Sequence, residues 1–297
     1  MIQASAKGCP GTMQRDITIA LAIMQSPLGQ VEENLLSVER LAGLAAQQGA
    51  SLVCFPEACV TGYAPDDSIR AHAQEIDGQA ATALGRIARK YGILLVAGLA
   101  EKFQGQIFVT QLLACPKGQR AAYRKLHISP AESKTFARGS ILPLFVNSDC
   151  AFGLGLCYDA HFPELSGALA DSGADFLLFP HASPHGTAQS KKESWMRHLA
   201  ARAFDNGLFV AAVNQCGQNG QGLSFPGIAL VIGPDGKILA QKSDEGLLFH
   251  TLEKKLLDAV RSHRMRYFRP QKRSDLFGSA TPAVCTIEDF SVPSPRP

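Results

Sequence analysis

The 297-residue chain reads as an α/β protein with two stacked sheets and helices outside them. Apolar runs of strand length alternate with helical stripes along most of it. Two Pro-x-Gly turns, Pro116-Lys117-Gly118 and Pro234-Asp235-Gly236, form hairpins and so break a purely parallel winding. The element order of the first half also returns in the second, which is why two similar sheets are expected.

Ile17 to Met24 carries its larger apolar residues at every second position, the period of a strand. A helix is expected over 31–48, with Val31, Leu35, Val38, Leu41, Ala42 and Ala45 on one stripe and Gly49 as its stop. Ser51–Phe55 is a short buried strand ending on Pro56-Glu57. A second helix covers 79–91, followed by strands over 93–99 and 107–114 and, past the first hairpin turn, 119–126. In the second half, 144–147 and 152–157 are strands, 162–172 a helix and 176–179 a buried strand. One long helix is expected over 189–206. Strands over 208–213, 228–232, 237–240 and 247–251 complete the set. Residues 17–280 thus form one domain. Residues 1–16 are a polar flexible segment, and 281–297, with four prolines, a tail lying extended on a surface or partner.

Composition narrows the function. Charged residues are only 19% and the formal net charge is +3, so nothing favours nucleic acid. No apolar run reaches the ~20 residues of a membrane helix, and the first sixteen residues hold no apolar signal core. The eight cysteines form no Cys-x-x-Cys pair or zinc-spaced cluster. That usage fits a reducing cytoplasm, with thiols as small hydrophobes and one available as a nucleophile.

Three reactive side chains fall at strand ends, where loops of α/β proteins converge on a crevice. Cys157 closes its apolar run and is followed by Tyr158-Asp159 and a helix start at Pro163, a position that favours a thiolate. Glu57 follows a strand-ending proline, and Lys125 sits at the far end of a hairpin strand. Singly, these are more often a structural cysteine, a loop carboxylate and an edge charge. Together they make a nucleophile, a base for its proton and a cation for an oxyanion, with the Tyr158 N–H as a second donor. No metal or organic cofactor is required.

Three blocks carry a family resemblance: Phe55-Pro56-Glu57 with Thr61-Gly62-Tyr63, Tyr123-Arg124-Lys125-Leu126-His127, and Gly155-Leu156-Cys157-Tyr158-Asp159 with Phe162-Pro163-Glu164. In this order they resemble the glutamate, lysine and cysteine blocks of the nitrilase (carbon–nitrogen hydrolase) superfamily. Ala201–Asn206, Val213-Asn214 and Arg266–Arg269 extend the likeness. The resemblance implies a four-layer αββα sandwich of two mixed sheets, and pairing into a homodimer or higher homo-oligomer through helices after the Glu and Cys strands. It also implies a second glutamate between lysine and cysteine, for which Glu132 is the only candidate. Cys157-Tyr158-Asp159 is similar to the amidase and carbamoylase branches rather than to the Cys-Trp-Glu of nitrilases.

The expected activity is hydrolysis of a small carboxamide or N-carbamoyl compound through a cysteine thioester. Nitrile hydrolysis by the same thiol, or a catalytically silent binding or oligomerising role, are the alternatives. Tyr63, His181, Ser183 and His185 are candidate pocket residues. The stretch His181–Lys192 holds no acidic residue, and with Arg138 it makes a rim expected to favour neutral or carboxylate-bearing amides.

Overall fold

The computed structural model describes residues 13–278 and 280–289. The first half folds as β1 (Ile17–Ile23), α1 (Val31–Gln47), β2 (Leu52–Cys54), α2 (Gln79–Tyr91), β3 (Leu94–Phe103), β4 (Gln106–Ala114) and β5 (Arg120–Arg124). The second half continues with β6 (Pro143–Val146), β7 (Ala151–Leu154), α3 (Pro163–Asp171), β8 (Phe176–His181), α4 (Ala188–Met196), α5 (Leu199–Asn206) and β9 (Phe209–Asn214). Then come the small hairpin β10 (Gly217–Gln218) and β11 (Ser224–Phe225), β12 (Ala229–Ile232), β13 (Ile238–Lys242), β14 (Gly246–Leu252), α6 (Lys254–Arg261), α7 (Ser274–Phe277) and β15 (Ala283–Thr286).

Two mixed sheets result, one ordered β14-β1-β2-β3-β4-β5 and the other β13-β12-β9-β8-β7-β6-β15. The alternation in β1 shows how the layers are specified. Ile19, Leu21 and Ile23 join Phe145, Phe152, Phe176 and Phe209 in the core between the sheets. Ala20 and Ala22 point the other way, into a layer with Val38, Leu41 and Ala45 of α1 and Leu84 of α2. Large side chains fill the sheet-to-sheet space, and small ones let the helices approach. On the opposite side, Leu165 and Leu169 of α3 and Leu199 and Ala203 of α5 pack with Leu177 and Val210.

Three features differ from the sequence reading. The helix expected over 189–206 is two, α4 and α5, broken at Arg197-His198; α5 then presents Arg202 to the carbonyls of Ala160 and His161 at 3.1 and 3.0 Å. The strand expected to reach Cys157 ends at Leu154. The amphipathic α6 was not foreseen; it buries Leu257 and Val260. Over the described part of the C-terminal stretch, β15 lies extended on the second sheet, paired parallel with β6, and Ile287 is buried. The expectation of a flexible N-terminus falls mostly on residues 1–12, which lie outside the described residues, as do 290–297.

Candidate active site

Glu57 leaves β2 through Pro56 and is fully buried. Its loop is braced by two glutamine amides: Gln111 donates to the Phe55 carbonyl at 3.0 Å, and Gln215 to the Glu57 carbonyl at 2.7 Å. Ala58 is forced to φ +53°. The loop lies so close on β3 that a Cβ at Gly98 would stand 2.3 Å from the Ala58 nitrogen. Of the Glu57 carboxylate oxygens, Oε2 accepts the Ala182 N–H at the end of β8, and Oε1 accepts from Lys125 Nζ, both at 2.8 Å.

Lys125 follows β5 directly, and its N–H extends the ladder to Val109. Its ammonium, 1% exposed, also donates to Glu132 at 2.8 and 3.1 Å. Glu132 further accepts from the Ser129 N–H at 2.9 Å and the Tyr63 hydroxyl at 3.0 Å. The two carboxylates are therefore unequal. Burial raises the proton affinity of both, but the Lys125 charge and the hydrogen bonds overcome it only at Glu132, which titrates below the ordinary glutamate value. At Glu57 burial wins, assisted by the negative charge of Glu132, and its pKa is raised. Burial also opposes the Lys125 charge, but Glu57, Cys157 and Glu132 outweigh it, and the amine is held protonated.

Cys157 opens a short 3-10 helix, Cys157–His161, at φ +43°, a left-handed conformation that costs a non-glycine residue ~1 kcal/mol or more. Asp159 maintains it. This fully buried carboxylate accepts from the Leu156 N–H at 2.9 Å and the Tyr123 hydroxyl at 2.7 Å, and from the His127 N–H at 2.8 Å with His127 Nδ1 2.7 Å away. The Cys157 turn is thereby tied to both flanks of Lys125. The expectation that a helix terminus favours the thiolate is corrected: burial and the Glu57 charge push the Cys157 thiol up, against Lys125, so the resting sulfur keeps its proton.

Glu57, Lys125 and Glu132 are thus in direct contact, and the Cys157 thiol lies within reach of the charge of all three. Tyr63, beyond its bond to Glu132, joins Ala58, Ala182 and Phe225 in a small apolar cluster beside the glutamate. His181 is enclosed, with Nδ1 2.7 Å from the Phe179 carbonyl and its ring on Trp195 at 4.1 Å. Burial holds it neutral. Ser183 is fixed by Asn214, which accepts its N–H and donates to its carbonyl, while His185 is exposed in a left-handed turn. Arg138 is exposed as well.

Several supports were missed. Gln111 is a buried amide within an apolar strand, a signal the sequence did offer. Gln215 and Asp159 became meaningful only with their partners, and the Ala182 N–H is backbone with no side-chain signature. Among the described residues, no group of three His, Cys, Asp or Glu is placed to hold a metal ion.

A family model described as carbon–nitrogen hydrolase matches residues 18–262. The chain is 30% identical to the human omega-amidase NIT2 over 270 residues, covering 86% of this chain and 96% of that protein. It is 29% identical to an (R)-stereoselective amidase of a Pseudomonas species over 237 residues, 77% of this chain and 82% of that one. A solved amidase from a Nesterenkonia species superposes with a TM-score of 0.77 at 29% identity, covering 92% and 98% of the two chains. A mutant of that amidase shows covalent addition of the acetamide moiety of fluoroacetamide at its active-site cysteine.

Proposed function

The chain belongs to the carbon–nitrogen hydrolase family, and on that footing we propose that it hydrolyses small amides through a thioester on Cys157. The observation that carries this reading is one buried ammonium held by two unequal carboxylates beside a cysteine in a left-handed turn. Of the two, Glu57 is the base. It has the raised pKa, whereas Glu132 is committed to Lys125, Ser129 and Tyr63.

Because the thiol rests protonated, its proton passes to Glu57 as sulfur attacks the carbonyl carbon. Glu57 then protonates the nitrogen as the C–N bond breaks, leaving ammonia or an amine and the thioester. A water attacks the thioester carbon, giving its proton to Glu57. The C–S bond breaks, the acid departs, and Glu57 returns a proton to sulfur. In both halves the oxyanion is met by Lys125 Nζ and by the Tyr158 N–H, which stands in the first turn of the 3-10 helix where backbone donors have no intrahelical acceptor. A donor of this kind is worth about 3–4 kcal/mol in the barrier.

Ammonia release from matched carboxamides, N-carbamoyl compounds and nitriles tests the reading. Turnover of the first or second class is expected. Turnover of nitriles alone, or of none, would overturn it.

The proposal extends to assembly and location. Phe204 of α5 and Phe268 are exposed and lie 5.8 Å apart, and Met265, Leu276 and Phe277 are 63–72% exposed. Arg269, next in sequence, hydrogen-bonds the Gly167 carbonyl of α3. Exposed apolar side chains such as these suit a second copy of the chain. The seven described cysteines are all free, which supports a reducing compartment such as the cytoplasm. No helix among the described residues is long and apolar enough to cross a membrane.

A further inference from the structure

We infer that Lys191, together with the Ser183 hydroxyl that it holds, forms a subsite for a carboxylate at the far end of the amide substrate; this rests on the proposed hydrolase function. Lys191 lies in the second turn of α4 and is half-buried. Its ammonium donates to Ser183 Oγ at 2.6 Å and to the Pro184 carbonyl at 2.8 Å. Among the described residues no carboxylate pairs with it, although an ammonium in this position has a third donor to place. Burial already lowers its pKa, the mark of a charge short of compensation.

The location is the active site. Ser183 and Pro184 directly follow Ala182, whose N–H holds the Glu57 carboxylate. The charge of Lys191 acts on the Cys157 thiol, opposing the carboxylates there. With Glu57 and Glu132 ionised against Lys125 alone, the buried centre carries one net negative charge and repels an approaching anion. Lys191 cancels that charge on the side where α4 begins. Having accepted from the ammonium, the Ser183 hydroxyl still has its own proton to donate, so a carboxylate would find two donors.

The neighbouring cations do not share this position. Lys192 lines a different cleft, with Gln241, Lys242 and Ser243, and Arg138 is exposed. The substrate class that follows is the monoamide of a short dicarboxylic acid, and an amine-tailed amide would meet a like charge instead.

Protection of Cys157 from iodoacetamide gives a readout that needs no turnover. Glutarate should protect wild type at a concentration about tenfold or more below pentanoate. Lys191→Met should erase this preference and Lys191→Arg should keep it. In parallel, the ratio of kcat/KM for glutaric monoamide over pentanamide should fall about tenfold or more in Lys191→Met. Both readouts are ratios on one protein, so a general disturbance of the Ser183–Pro184 loop cancels. Equal protection by the two acids in wild type, or an undiminished glutarate preference in Lys191→Met, overturns the subsite. Lys191-dependent protection in an enzyme that cleaves neither amide upholds the subsite and overturns the hydrolase reading instead.

Discussion

Glu57 and Glu132 share one ammonium but carry opposite net shifts, because burial outweighs that charge only at Glu57, so replacing each with glutamine should move stability in opposite directions. Glu57 holds its proton more tightly when folded than when unfolded, so ionising it weakens the native state. That cost is absent at low pH and grows as pH rises above the ordinary glutamate value of 4.5. Glu132 is depressed, so its contribution is present above that value and is lost as pH falls through its lowered folded value. At pH 8, Glu57→Gln is therefore expected to melt no lower than wild type, and Glu132→Gln clearly lower. Glu57→Gln should also lose about two to four decades of turnover with its base. Thermal melts of both variants across pH 4–8 check the signs, and equal destabilisation by the two would contradict the assignment. That Glu57, Lys125 and Cys157 belong to one cluster was legible because they stand at element ends in recognisable blocks. Their ranking was not, because it depends on which donors reach which oxygen, and the Ala182 N–H and Tyr63 hydroxyl arrive from distant positions.

At the scale of elements, alternation and turn residues located nearly every strand and helix, since a period of two or a helical stripe is written locally. The misreadings occur where tertiary contacts intervene. The apolar run into Cys157 continues past β7, yet Asp159 draws the chain into the Cys157 turn. β15 is legible only beside β6, whose edge it covers. The Glu57 loop rests on β3 at Gly98, where no Cβ fits against Ala58 and Pro56. Gly98→Ala is thus expected to displace the Glu57 loop, destabilising the fold by about 1–3 kcal/mol. Turnover should fall further than that loss of stability explains. Denaturant melts with steady-state kinetics on the folded variant check this, and an alanine variant with unchanged kcat would show that the contact does not position Glu57.

For the molecule as a whole, repetition of element order announced two sheets, and large-small alternation on strands such as β1 announced layers on both faces. Neither could show that the site lies where the sheets meet: Glu57 and Lys125 come from the first, Cys157 and Ala182 from the second. Disturbing the packing between sheets should therefore be felt in catalysis. The exposed aromatics around α5 lead to a further expectation, a sedimenting species of at least twice 31.8 kDa at micromolar concentration. A Phe204→Glu and Phe268→Glu double variant should shift it towards monomer, and a wild-type monomer would contradict the proposed pairing. The central claim, that catalysis passes through sulfur, is tested by acid-quenching the enzyme during turnover of an amide and mapping the acyl mass by peptide. The account predicts an acyl group on the peptide bearing Cys157 and complete loss of turnover in Cys157→Ala; an adduct on another residue, or an active alanine variant, would contradict it.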